Sequence, residues 1–351
     1  MASGWSANFK LFLGSHNLVL PKALAGSFAA GNGGVIDIAS LFAVLIVAVL
    51  LWRGTNTTAR VENVLVVGKV LVILIFIGVG LTAIHPGNYV PFIPAHKAGT
   101  DFGGWSGIFA GASQIFLAYI GFDSIAASSA EAKDPKKTMP RGIIGSLIVA
   151  TILFVTVALV LVGMFHYTEY KDNAAPAAWA LLHSGHEFTS NLLSVVALIG
   201  MFTAIIGMML AGSRLLYAFG RDGLLPSFLG KVNDKGLPNN ALLVLSVIAI
   251  LIGSVFSFTE LAGLISAGTL IAFIIVSLGI YALRPREGKD IQEPGFKMPF
   301  YPVMPALAAL GSGFIFYELD NQAKIYAFGW FVVGIIIYAV YGSKHSKLSQ
   351  K

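Results

Sequence analysis

The sequence predicts an all-α integral membrane protein of about nine transmembrane helices. Of its 351 residues, 56% are hydrophobic and only 11% are charged, whereas an ordinary soluble domain carries about 25% charged residues. So little charge cannot coat a globular surface in water, which excludes a soluble enzyme. Nine stretches approach the roughly 20 apolar residues that a helix needs to cross a bilayer. No alternating apolar–polar pattern recurs. That sets aside the closed β-barrel, the other structure able to satisfy its backbone in lipid. The 39 glycines agree with close packing of such helices.

Taken in order, the expected spans are Val35–Trp52, Val61–Ile84, Gly104–Ala130, Gly142–Phe165, Asn191–Ser213, Asn239–Ser257, Leu261–Leu283, Phe300–Tyr317 and Ala323–Tyr341. The connections between them divide the basic residues unevenly. One side holds Arg53 and Arg60, the group Lys133, Lys136, Lys137 and Arg141, the group Arg214, Arg221, Lys231 and Lys235, the group Arg284, Arg286, Lys289 and Lys297, and Lys344, Lys347 and Lys351. The other side holds Lys10, Lys22, Lys97, Lys171 and Lys324. By the positive-inside rule the rich side is cytoplasmic, so the N-terminus is expected outside and the C-terminus inside. The net charge of +6 is spread over short loops rather than gathered on one face, which argues against a nucleic-acid partner. The expected partner is the lipid bilayer.

The segment before the first span, Met1–Gly33, scatters apolar residues around Lys10, His16, Asn17 and Lys22. Its apolar run is too broken for a signal peptide and no basic cluster precedes it. An outside N-terminus without a leader suggests that helices are missing upstream. The layout is thus a single transmembrane domain: residues 1–33 leading in, nine spans over 35–341, and a cytoplasmic tail over 342–351.

Two features inside the spans call for chemistry. Lys69 lies about 12 Å past the start of its span. There a charge costs about 2.5–3.5 kcal/mol on insertion scales. It is either an inward-facing functional ammonium or a side chain snorkelling to the interface. The long third span contains Phe116-Leu-Ala-Tyr-Ile-Gly121-Phe122-Asp123-Ser124. Gly121 permits non-helical backbone, and Asp123 and Ser124 suit the start of a second half-helix. Broken helices of this kind offer free carbonyls at the midplane of transporters. The alternative is a continuous helix whose glycine admits a close neighbour.

Other signals are weaker. Pro140 fits a helix start, after a basic turn from Glu131 to Arg141 that is either solvated or part of a gate. Gly200, Ala204, Gly207 and Ala211 form a small-residue stripe that reads as helix packing. Enzyme motifs are absent from the sequence: His186-Glu187 lacks the second histidine of a zincin, and there is no Walker loop or nucleophile elbow. With no cysteine there is no thiolate or iron–sulfur chemistry. No metal site, cofactor or catalytic residue is expected.

Several of these motifs recur together in one family. Ala118-Tyr-Ile-Gly-Phe-Asp123, Ala130-Glu131 with Lys133-Asp134-Pro135, Met139-Pro140-Arg141-Gly142, Ser213-Arg-Leu-Leu-Tyr217 with Arg221-Asp-Gly-Leu-Leu-Pro226, and Gly268-Thr269-Leu270 with Ala272-Phe273 resemble the amino acid–polyamine–organocation superfamily. Within it they resemble the bacterial cationic-amino-acid-transporter-like permeases. Ala132 departs from the pattern, which usually has a second acid there. The resemblance implies a five-plus-five inverted-repeat transporter fold, here lacking its first three helices, and a secondary active amino acid permease working by alternating access in the cell membrane. It further implies that the carbonyls of Leu117, Ala118 and Ile120, at the break made by Gly121, receive the substrate ammonium. By the same resemblance Phe122 closes over the substrate and Lys69 couples transport to protons. An inactive remnant of a permease and a non-transporting amino acid sensor are the alternatives.

Overall fold

The computed structural model describes residues 1–15, 18, 20–28, 34–54, 59–100, 102–122, 134–171, 173, 175–234, 236–290, 293, 294 and 296–347. Among them the protein is helical throughout, and the β contact recorded is an isolated bridge between Ala25 and Asp37. Eleven main helices follow in chain order: α1 Ala2–Ser15, α2 Ile38–Trp52, α3 Ala59–Leu81, α4 Gly104–Ile115, α5 Pro135–Met164, α6 Pro176–His183, α7 Glu187–Arg221, α8 Asn239–Val255, α9 Phe258–Leu283, α10 Val303–Tyr317 and α11 Asn321–Ile337. Each of the nine expected spans has a helix in its place.

By length and apolarity, the segments Val64–Leu81, Pro135–Met164, Glu187–Arg221, Glu260–Arg286 and Asn321–His345 can each cross a membrane unaided. The helices α2, α8 and α10 are shorter, with 15, 17 and 15 residues, or about 22–26 Å at 1.5 Å per residue. Large apolar side chains stand exposed along these helices, among them Val64, Ile152, Val276, Leu310 and Ile325. In water such surface would drive aggregation. In a bilayer it meets acyl chains.

The chain divides into two compact units. The first comprises Met1–Phe92, Thr151–Phe258 and Ile337–Lys351. One core in it joins Ala43, Val44 and Val47 of α2 to Ile205 and Met209 of α7 and Leu242 of α8. The spacing within each helix puts these residues on one face. A second core joins Phe76 of α3, Val160 and Met164 of α5, and Ala180 and Leu181 of α6. The short helix α1 belongs to this unit, with Trp5 packed against the first core and stacked on Phe9 at 4.8 Å.

The second unit comprises Ile93–Ala150 and Thr259–Ile336. Its core joins Ala267 and Leu270 of α9 to Leu319 and to Ala327 of α11, with Phe116 packed against it. Buried Ser113 of α4 donates to the Ala110 carbonyl (2.8 Å) and the Glu318 carbonyl (3.2 Å), which anchors α4 to the C-terminal end of α10.

Within the third span α4 stops at Ile115, close to the expected interruption, and residues 123–133 lie outside the described ones. Two expectations are corrected. The fourth span was expected to start near Pro140, whereas α5 starts at Pro135 and carries Pro140 inside it. Pro135 is therefore the proline at the helix start, where a missing N–H costs nothing. Pro140 deprives only the Lys136 carbonyl of a partner, at an exposed end where water replaces it. Second, the small-residue stripe of α7 is not uniformly packed: Gly200 lies against a side chain, but among the described residues nothing stands within 4 Å of where a Cβ on Gly207 would be.

Candidate functional site

The first candidate site is the end of α4. The helix tightens into a 3-10 turn over Phe116–Tyr119 and stops at Ile120, whose φ of −68° and ψ of 133° are extended. The Ile120 N–H donates to the Leu117 carbonyl at 3.2 Å, not to Phe116 as a continuing α-helix requires. Gly121 then takes φ +126°, a region that side chains with a Cβ strongly disfavour. The helix thus ends where the sequence places the break. The carbonyls at such a helix end carry about half a negative charge between them, which suits a cation.

Beside the break is a cavity of about 270 Å³ lined by Ala118, Tyr119, Ile120, Gly121 and Phe122, with Ser146, Leu147 and Ala150 from α5. Pockets for drug-sized ligands run from about 300 to 1,000 Å³, so this one fits a smaller molecule. Its walls are mostly aliphatic or aromatic, and the Ser146 hydroxyl is already spent on the Ile143 carbonyl at 2.9 Å. Of the expected substrate contacts, Ala118, Ile120, Gly121 and Phe122 line the cavity, whereas Leu117 does not. The Phe122 ring lies 5.4 Å from that of Phe273 on α9, and Phe273 also meets Phe116 at 6.2 Å. Asp123, Ser124, Glu131, Ala132 and Lys133 lie outside the described residues, and so does the second half-helix expected to start at Asp123.

The second candidate is Lys69, in the other unit. Its Nζ donates to the Thr203 hydroxyl on α7 at 2.7 Å, and Thr203 donates in turn to the Gly200 carbonyl at 2.8 Å. The aliphatic stem runs over Gly200: a Cβ there would stand 3.3 Å from the lysine Cδ. Lys69 is therefore turned onto a neighbouring helix of its own unit. Hydroxyl and glycine together make the seat, one accepting the proton-bearing head and the other leaving room for the stem.

Sequence reasoning passed over three contributors. Thr203 sits one turn along from Gly200 but was not connected with Lys69. Phe273 was noted as a family residue with no role. Asp37, just before α2, gathers a buried cluster: one carboxylate oxygen accepts from the Ser6 hydroxyl (2.5 Å) and the Ser40 N–H (3.2 Å), and the other pairs with Lys10 at 3.2 Å. An aspartate three residues before a serine at a helix start is a capping signal, and it was there to be read. Outside the spans, burial and then the neighbouring Glu169 charge push the Tyr170 hydroxyl up to about 12, while it donates to the Leu161 carbonyl at 2.6 Å. Among the described residues no group of three or more histidines and carboxylates could hold a metal ion.

A family profile described as amino acid permease matches residues 12–341. The sequence is 56% identical over 347 residues to a branched-chain amino acid permease of Lactococcus lactis subsp. cremoris (strain MG1363), covering 99% of this chain and 74% of that protein. It is 34% identical to a branched-chain amino acid permease of Bacillus subtilis (strain 168), over 99% of this chain and 73% of that one. A methylthioribose transporter of the same Bacillus strain is 33% identical, over 100% of this chain and 74% of its own length.

Proposed function

The chain belongs to the amino acid permease family, and on that premise we propose that it carries branched-chain amino acids across the cell membrane, coupled to protons. It is a multi-pass membrane permease rather than an enzyme, so no bond in the substrate is made or broken. The observation that carries the substrate reading is the cavity at the end of α4. The residues at the helix end, where carbonyls lose their helical partners, line it together with mostly apolar side chains. An aliphatic amino acid needs that pairing: an acceptor for its α-ammonium and an uncharged slot for its side chain. The names of the Lactococcus and Bacillus permeases support the same choice.

In this reading the carbonyls of Ala118 and Ile120 receive the ammonium, Gly121 supplies the turn that exposes them, and Phe122 covers the bound molecule from its place against Phe273. Leu117, outside the cavity lining, holds the turn by accepting from the Ile120 N–H. Lys69 serves as the proton carrier. Protonated, it donates to Thr203; deprotonated, its nitrogen accepts the hydroxyl hydrogen and the Thr203–Gly200 bond is given up. Proton binding is thereby linked to the hydrogen bonding of α7. The uneven distribution of Lys and Arg supports an outside N-terminus and a cytoplasmic C-terminus.

The test is equilibrium binding of labelled isoleucine to the purified protein in liposomes, with unlabelled competitors. Leucine and valine should displace the label, whereas lysine, arginine and methylthioribose should not. Equal displacement by lysine would overturn the branched-chain assignment, and displacement by methylthioribose alone would remove the amino acid reading itself.

A further inference from the structure

A second cavity, of about 470 Å³, runs along the first turns of α5 and shares no lining residue with the cavity at the end of α4. Lys136, Lys137 and Arg141 line it together with Ile144, Ile148 and Phe296. Lys137, Arg141, Ile144 and Ile148 are spaced four, three and four residues apart, so they share one helix face. From Lys137 to Ile148 that face runs about 16 Å, basic at the helix start and aliphatic below. Lys136, Lys137 and Arg141 are all exposed. The one ion pair recorded among them, Lys137 to Asp134 at 3.7 Å, joins two exposed side chains and is worth little. Lys136 and Arg141 pair with no carboxylate among the described residues. Two lysines in the first turn are also set against the helix dipole, which favours anions there.

We propose that this cavity binds an anionic phospholipid, with the headgroup phosphate held by Lys136, Lys137 and Arg141 and an acyl chain lying over Ile144 and Ile148 beside Phe296. Two features favour a lipid over a free anion. The basic end continues directly into an aliphatic one on the same face. The basic residues also belong to the Lys- and Arg-rich side of the chain, the side that faces the anionic leaflet under the positive-inside rule. Each basic residue near such a surface contributes about 1 kcal/mol, about fivefold in affinity.

The test uses the full chain purified in mixed micelles and measures retained lipid by native mass spectrometry, with phosphatidylglycerol and phosphatidylcholine offered in turn. The wild type should retain phosphatidylglycerol preferentially. Lys136→Gln should weaken that retention about fivefold, and Lys136→Gln/Lys137→Gln/Arg141→Gln about a hundredfold, with phosphatidylcholine unaffected. Because all three positions are exposed, the variants should keep the wild-type circular dichroism and elution volume. The single variant alone decides the matter if the triple variant fails to fold. Ile144→Gln/Ile148→Gln should also weaken phosphatidylglycerol retention. Equal retention by wild type and Lys136→Gln overturns the site. Full displacement of the lipid by excess inorganic phosphate, or an unchanged result in Ile144→Gln/Ile148→Gln, overturns the lipid and leaves an anion site.

Discussion

The end of α4 and the seat of Lys69 both put polar groups inside apolar helices, and they do so by opposite means. At α4 the polarity among the described residues is backbone: a 3-10 turn, an extended Ile120 and a glycine at φ +126° interrupt the ladder. At Lys69 the ladder of α3 runs on unbroken, and the polarity is a side chain that must be met by another, Thr203. Backbone polarity is set by a few consecutive residues. Side-chain polarity needs a partner brought in by the fold. The first should therefore fail when local conformation is changed, and the second when either of two distant residues is changed.

The largest effect should come from Gly121→Val. A β-branched residue at φ +126° costs about 1–3 kcal/mol, or a local rearrangement of the carbonyls beside it. Isoleucine binding should fall by one to two orders of magnitude, read by equilibrium binding, while the unfolding midpoint in detergent moves only slightly. Wild-type affinity in Gly121→Val would mean that the break does not shape the binding site, and the comparison would lose its first half.

The Lys69 seat should behave as a pair. Thr203→Val removes an acceptor from a partly buried ammonium and should cost about 1–3 kcal/mol in stability. Lys69→Met should cost less, because it removes the charge together with its need. The double variant should be more stable than the sum of the two losses implies, by about 1 kcal/mol in a double-mutant cycle. Strict additivity would show that the 2.7 Å contact carries no energy.

The contrast also explains what could be read before the fold was known. The helix end at Gly121 was half legible: its cause is local, but a glycine in an apolar run also admits a continuous helix, and the family resemblance tipped the choice. The all-helical architecture was legible because each apolar stretch declares itself, whereas α1 and α6, which carry no long apolar run, were not. Thr203 was not legible as the partner of Lys69, because 134 residues separate them and nothing in the local pattern of α7 names which α3 residue it will meet. Phe273 stayed without a role for the same reason. Pro140 misled the reading because a proline is read as a start signal, and the true start, Pro135, carries the same signal five residues earlier.

A smaller effect tests the unit that holds Lys69 without touching the lysine. Tyr170→Phe deletes the 2.6 Å bond to the Leu161 carbonyl and should cost about 1 kcal/mol. Its pH dependence has a definite sign. The tyrosine is pushed up from an ordinary value of 10.0 to about 12, so the folded state favours the neutral hydroxyl. That contribution is fully present below pH 10 and is lost as the pH rises through about 12. Wild type and Tyr170→Phe should therefore show parallel stability curves between pH 5 and pH 9 and converge only above pH 10. Divergence in the lower range would mean that Tyr170 contributes to any proton dependence assigned to Lys69.

The smallest effect compares two glycines on the same helix. A Cβ on Gly200 would stand 3.3 Å from Cδ of Lys69, and a Cβ on Gly207 would have nothing within 4 Å among the described residues. Replacing a helical glycine with alanine stabilises by up to about 1 kcal/mol through backbone entropy alone. Gly207→Ala should gain that amount, raising the unfolding midpoint with binding unchanged. Gly200→Ala should gain less, because the lysine stem must give by a few tenths of an ångström. The side chain is flexible, so the fold survives, but the ammonium is pushed off its place against Thr203. The measured difference between the two alanines is then the energy of seating Lys69, obtained without removing either polar group. Equal gains in both would show that Gly200 is only a helix residue and that the seat consists of Thr203 alone.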